Sequence, residues 1–136
     1  MISTKGRYAL RFLVDVAEHQ AEGFVPLKST ALRQGISEKY LEIVVKELVK
    51  NGLLTAARGK GGGYQLSRVP EEYSVKTIIE IMEGPLSPVA CLRPGQKPCQ
   101  QRSICPTLSL WQGLNQVISE YLAQFTLADL CRKSDV

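Results

Sequence analysis

The densest patterned run of apolar residues is ISEKYLEIVVKELVKNG, residues 36–52, in which Leu41, Val44, Val45 and Leu48 recur at i, i+3, i+4 and i+7. That period predicts a helix with one apolar stripe and leaves Lys39, Glu42 and Lys46 facing elsewhere. Ser37 stands where a side-chain oxygen can accept from an orphan backbone N–H. Gly52 stands where a helix can end in the left-handed conformation. Two β-prone segments follow, Leu53–Ala57 and Tyr64–Ser67, joined by Arg58-Gly-Lys-Gly-Gly-Gly63, whose glycines suit a hairpin tip. A capped helix running into a basic hairpin is the outline of a winged helix-turn-helix.

The flanking pattern completes that outline. Thr4–Glu18 reads as a helix on Tyr8, Leu10, Phe12, Leu13, Val16 and Ala17, and Leu27–Gln34 as a short helix before a Gly35 turn. Lys5, Arg7 and Arg11 crowd the start of the first helix, where cations oppose the helix dipole. They are either a solvated face or a surface that meets an anion such as DNA phosphate. After the hairpin, Val69–Tyr73 reads as a linker. Ser74 caps a helix bearing Val75, Ile78, Ile79, Ile81 and Met82, and Gly84-Pro85 stops it. Leu86–Pro106, with four prolines and three cysteines, has no period and is expected to be a long loop. From Thr107 the helical pattern returns, with Trp111, Leu114, Ile118, Tyr121 and Phe125 spaced 3, 4, 3, 4 and widened by Leu110, Val117 and Leu122. The spacing suits a short coiled-coil seam or a helix packed on its own domain; subunit pairing is favoured because small winged helices read DNA as symmetric dimers.

Charge sharpens this picture. The net charge is +4 in 136 residues, yet residues 1–68 hold 11 Lys+Arg against 6 Asp+Glu while residues 69–136 hold 6 against 7. The basic half is the half with the helix and hairpin, as a phosphate-binding surface requires. No apolar run approaches the roughly 20 residues of a bilayer span, and the N-terminus lacks a signal-peptide core, which points to a soluble cytoplasmic protein. A nucleotide P-loop is disfavoured, since the glycines link two strands and no Lys-Ser or Lys-Thr opens a helix. An enzyme is disfavoured too. His19 is the only histidine and has no nearby nucleophile, and no paired carboxylates frame a site.

The cysteines carry a second chemistry. Cys91, Cys99 and Cys105 fall within fifteen residues of irregular chain, in CLRPGQKPCQQRSIC. Three soft sulfur donors so close suit an iron-sulfur cluster or zinc. Zinc usually takes four ligands with a closer Cys-x-x-Cys pair, and an odd group of three in an intracellular protein argues against disulfides. Cys131 stands apart and reads as a small buried apolar residue.

The segments STKGRYAL, QGISEKYLE, RGKGGGY, EGPLSPV, CPTLSLW and TLADL, in this order along nearly the whole chain, resemble the Rrf-two family of bacterial winged-helix regulators, most of all its IscR type. The resemblance implies a mostly α fold with a small β-hairpin wing and a long C-terminal dimerisation helix crossing a partner subunit. It further implies that the start of the recognition helix, Lys39 and Glu42 here, reads base edges of a palindromic operator, and that Arg58 of the wing enters the minor groove. The candidate DNA contacts are thus Ser37, Lys39, Tyr40, Glu42, Arg58, Lys60 and Arg7. By the same resemblance Cys91, Cys99 and Cys105 match cysteines that hold a 2Fe-2S cluster whose state alters promoter choice.

Two departures from the family pattern stand out. The first cysteine spacing is longer by two residues, and Leu108 occupies the place of a histidine that serves as fourth ligand three positions after the last cysteine. Other relatives use a carboxylate from the partner's first helix, where this chain has Arg7. Asp15, Glu18, His19, Cys131 or solvent remain candidates. The expected organisation is a DNA-binding domain over 1–84, a cysteine-bearing sensor loop over 85–106, and a dimerisation helix with a tail over 107–136. Two functions follow from it: a homodimeric regulator controlled by a cluster, sensing iron-sulfur supply, iron, nitric oxide or redox state, or a cluster-free regulator of cysteine or sulfur metabolism that uses a thiol switch or binds a metabolic enzyme.

Overall fold

The computed structural model of the chain describes residues 2–92, 95 and 103–131. Helix α1, Thr4–His19, opens with Ser3 as its cap, the Ser3 hydroxyl accepting from the Lys5 N–H at 3.2 Å. Glu83 reaches the same turn from eighty residues away, accepting from the Ser3 hydroxyl at 2.7 Å and from the Ser3 N–H. Helix α2, Leu27–Gln34, ends at Gly35 in the left-handed region (φ 65°), and that tight turn aims helix α3, Glu38–Lys50, across it. Ser37 caps α3 as its sequence position predicts, accepting from the Tyr40 N–H at 3.3 Å.

The predicted stripe is the core. Leu41, Val44, Val45 and Leu48 are fully or almost fully buried, and they meet Phe12, Leu13 and Val16 of α1 together with Ile78 and Met82 of helix α4, Val75–Glu83. Each such side chain contributes about 1.5–3 kcal/mol of transfer free energy against the chain's ordering entropy. Strand β1, Leu54–Ala57, pairs antiparallel with β2, Gly63–Leu66, in the register Leu54↔Leu66 to Ala57↔Gly63. Val25 adds a one-residue bridge to Tyr64. Gly63 sits so close to the Val25 carbonyl that any Cβ there would collide with backbone, so the wing docks on the domain only with glycine at this position.

Two expectations change. Val69–Tyr73 is not a mere linker, because after a 3-10 turn at Pro70–Glu72 Tyr73 is buried in the core and its phenol closes the base of the wing. The phenol donates to the Leu53 carbonyl at 2.6 Å and accepts from the N–H groups of Ser67 and Arg68 at 2.9 and 3.2 Å. The chain also returns after the long helix: Leu127 opens a four-residue helix, Leu127–Leu130, is fully buried, and donates its N–H to the Tyr73 carbonyl at 2.8 Å. The Val75 N–H donates to the Phe125 carbonyl at 3.0 Å beside it.

Helix α5, Leu108–Ala123, precedes that return and packs on α4, yet none of its residues is buried. Leu110, Leu114, Val117 and Tyr121 are 60, 40, 61 and 58 % exposed. At 100° per residue they share an arc of roughly 60°. The exposed row is therefore offset by one residue from the Trp111-Ile118-Phe125 side of the expected seam, whose members are half buried.

Candidate functional site

The face of α3 opposite the core carries Lys39, Glu42, Ile43 and Lys46, all exposed. With the apolar stripe buried, this face presents mostly charged side chains, donors and acceptors beside the wing. Between α3 and the hairpin lies a groove of about 520 Å³, lined among others by Glu42, Lys46, Arg58 and Gly63. Arg58 and Lys60 stand exposed on the tip that joins β1 to β2. A helix with its charged face outward and a cationic loop beside it match the two features of B-DNA, base edges in a major groove and flanking phosphates.

Not every expected contact is equally free. Tyr40 is half buried, its ring edge-on to Tyr8 with centroids 5.4 Å apart, and Ser37 is occupied as an acceptor in capping α3. Arg7 is exposed and donates to the Thr4 hydroxyl at 3.3 Å. Arg11 has a structural task, since its guanidinium lies 5.4 Å from the Tyr8 ring centroid and donates to the Gln34 carbonyl and, at 3.1 Å, to the Gln34 side chain. It ties α1 to the end of α2.

A buried carboxylate reinforces that tie. Asp15 of α1 accepts from the Thr30 hydroxyl at 2.8 Å, from Arg33 Nε and Nη2 at 3.0 and 2.6 Å, and from the Gln34 amide at 3.0 Å. Burial pushes its pKa up, but the hydrogen bonds from Arg33, Gln34 and Thr30 outweigh this and hold it below the ordinary carboxylate value. The network fixes α2 and hence the angle at which α3 is presented. It also engages the Asp15 oxygens within the chain, which removes Asp15 from the candidate metal ligands. His19 Nδ1 lies 2.8 Å from the Asp15 backbone carbonyl.

Cys91 and Cys105 are free, half-buried thiols, Cys91 in a 3-10 turn at Ala90–Leu92 and Cys105 just before α5. Cys99 lies outside the described residues. The Cys105 thiol is held below its ordinary pKa by the Thr107 hydroxyl, 3.5 Å from Sγ, and by the Thr107 and Leu108 N–H groups at the start of α5. Cys131 has the opposite environment: burial, followed by the nearby carboxylates of Glu18 and Glu71, pushes its thiol up. Among the described residues no three His, Cys, Asp or Glu side chains converge as a metal site. No helix among them is long and apolar enough to cross a membrane.

Ile43 and the Asp15 network were not singled out from the sequence. The apolar period asks only which residues face inward, and an apolar residue off the stripe carries no signal until its exposure is known. The Asp15 partners are local to another helix and invisible to any period.

Comparison with known proteins agrees with this geometry. The Rrf2 family, described as an iron-dependent transcriptional regulator, matches residues 2–133. The HTH-type transcriptional regulator IscR of Serratia proteamaculans (strain 568) is 41 % identical over 99 % of this chain and 81 % of its own length. Among solved structures, CymR, the global cysteine regulator of B. subtilis, superposes with a TM-score of 0.78 at 38 % identity, covering 96 % of this chain and 95 % of that one. T. potens IscR superposes with a TM-score of 0.76 at 39 % identity, covering 96 % and 85 %. The helix-turn-helix, its wing and the long helix are thus shared with regulators of both names, and the chain belongs to the Rrf2 family of DNA-binding transcriptional regulators.

Proposed function

We propose that the protein acts in the cytoplasm as a homodimer on a palindromic operator, with Lys39 and Glu42 of α3 reading major-groove edges and Arg58 of the wing in the adjacent minor groove. Ser37, Tyr40, Lys60 and Arg7 serve as positioning contacts to the backbone. The observation that carries the dimer is the row Leu110, Leu114, Val117 and Tyr121, exposed on a helix with no buried residue. A row of that kind is only about half covered by its own domain, and the rest is the apolar surface a second copy can cover.

The cysteine loop is the sensor in this reading. Cys91, Cys99 and Cys105 would hold an iron-sulfur cluster of the 2Fe-2S type, and the donor chemistry fits: Cys91 and Cys105 are free of disulfides, and the Cys105 thiol is held below its ordinary pKa by Thr107. The cluster, when bound, supplies an iron centre responsive to oxygen, nitric oxide and iron supply. The loop leaves α4 at the helix end whose Glu83 holds the first turn of α1, so its root adjoins the DNA-binding half. Protein purified without oxygen should be coloured and contain iron and sulfide in equal amounts, and it should bind operator differently once the iron is removed.

Leu108 favours a second reading. It is half buried in the first turn of α5, and its side chain offers no ligand where the IscR resemblance expects a histidine. In that reading the chain is a cluster-free regulator of cysteine or sulfur metabolism, acting through the Cys105 thiol or by binding a metabolic enzyme. Colourless protein with titratable thiols after anaerobic purification and attempted reconstitution would decide for it.

A further inference from the structure

We infer that Ile43 is a sequence-reading residue, whose side chain takes the 5-methyl group of one thymine in each operator half-site. The inference rests on α3 being the recognition helix and names a contact within that reading.

Ile43 is 57 % exposed, whereas the core-facing residues of the same helix are at most 2 % exposed. It takes no part in the hydrophobic core. A β-branched residue on a solvated helix face loses side-chain freedom and gains only partial burial in the free protein, so the core gives no reason for it. A single exposed apolar residue is ordinary on most surfaces, but this one lies within a charged face, one residue from Glu42, four after Lys39 and three before Lys46. These four residues span about 10 Å of helix axis, or about three base pairs.

Isoleucine neither donates nor accepts a hydrogen bond. Major-groove edges present nitrogen and oxygen acceptors, amino donors and a single apolar feature, the thymine methyl. Against an amino or carbonyl edge Ile43 would displace water from a polar group and return nothing. Against the methyl it buries two apolar surfaces at once. When α3 docks with Glu42 accepting from an amino edge, Ile43 therefore selects thymine at a neighbouring pair, and Lys39 and Lys46 on either side hold the helix against phosphate or guanine.

The test starts by selecting an operator from randomised DNA with the full-length wild-type protein. Each thymine is then replaced by deoxyuridine, which lacks only the methyl, and Kd is measured by fluorescence anisotropy at one fixed salt concentration. At one position per half-site the loss of the methyl should weaken binding about four-fold, the equivalent of one methylene-sized group, and about sixteen-fold when both half-sites are changed. Ile43→Ala, at an exposed position that leaves the core intact, should bind thymine and uracil sites equally. Wild-type protein indifferent to uracil at every position, or an Ile43→Ala variant that keeps the same thymine-to-uracil ratio, overturns the inference while leaving α3 as the recognition helix. Selection that enriches no sequence overturns the docking, and this contact with it.

Discussion

Val117→Glu gives the sharpest test of the long helix. Burying a large apolar side chain contributes about 1.5–3 kcal/mol, and roughly half of that remains available for each of Leu110, Leu114, Val117 and Tyr121 in the isolated chain. Two copies of the row then supply about 8 kcal/mol, a gain of the same order as the cost of association, so a dimer formed on this face would have little to spare without the full row. In each subunit the substitution removes about 1 kcal/mol of burial and places a carboxylate against apolar surface, for a combined loss of at least about 4 kcal/mol and a roughly thousand-fold weaker dimer. Sedimentation velocity from nanomolar to tens of micromolar protein should show dimer for the wild type and monomer for the variant, with the melting temperature little changed. Gln112→Glu, which adds the same charge at an exposed position across the helix, should stay dimeric. An unaltered Val117→Glu dimer, or a monomeric wild type at tens of micromolar, would refute the reasoning.

Arg58→Ala should weaken operator binding by about 1–3 kcal/mol, most on sites with a narrow A·T-rich minor groove, and Glu42→Ala should relax base preference more than affinity; binding curves matching wild type for both would displace the site from this face. Asp15→Ala should destabilise the fold by about 3 kcal/mol in urea titrations, a figure kept low because Arg33 is a third exposed and can turn to water. Because folding lowers the Asp15 pKa from 3.8, its contribution is complete above that value and is lost as the pH falls through the lower folded one, so the gap between wild type and variant should narrow in acid and would contradict the network if it stayed constant. Cys91→Ala, Cys99→Ala and Cys105→Ala should each abolish iron and sulfide binding while Cys131→Ala retains it, and Leu108→His should slow cluster loss in air; equal loss rates with and without the imidazole would count against Leu108 as the open position. In protein free of metal, iodoacetamide should label Cys105 faster than Cys131, in line with their opposite thiol shifts, and the reverse order would contradict both assignments.

What the sequence disclosed follows from how far each signal travels along the chain. Leu41, Val44, Val45 and Leu48 repeat within one helix, and Ser37 and Gly35 act on adjacent backbone, so α2, α3 and the wing are legible to within a residue or two. Tyr73 carries no local signal. It sits among Pro and Glu residues and acquires its role only when Leu53, Ser67 and Leu127 arrive from three other segments. The four residues of Leu127–Leu130 are too few for a period, and α5 is apolar on two sides, so its pattern shows a helix without showing which side remains open. On the outer face of α3 and the tip of the wing the exposed charges are readable, because Lys39, Glu42, Arg58 and Lys60 are polar in places that must be outward. Arg11 is not, since nothing in the chain near it announces Gln34.

Tyr73 makes the wing and the end of the long helix mechanically continuous. The Phe125 carbonyl holds Val75, the Leu127 N–H holds the Tyr73 carbonyl, and the Tyr73 phenol holds the carbonyl and N–H groups at the root of the hairpin. Three short links of directional bonds thus run from the last turn of α5 to the base of the strands that carry Arg58. If α5 rolls or slides against a neighbour, residues 125–127 move with it, and the hairpin root must either follow or break a buried bond. The seat of the wing and the end of the long helix are then held at one place, a single buried tyrosine.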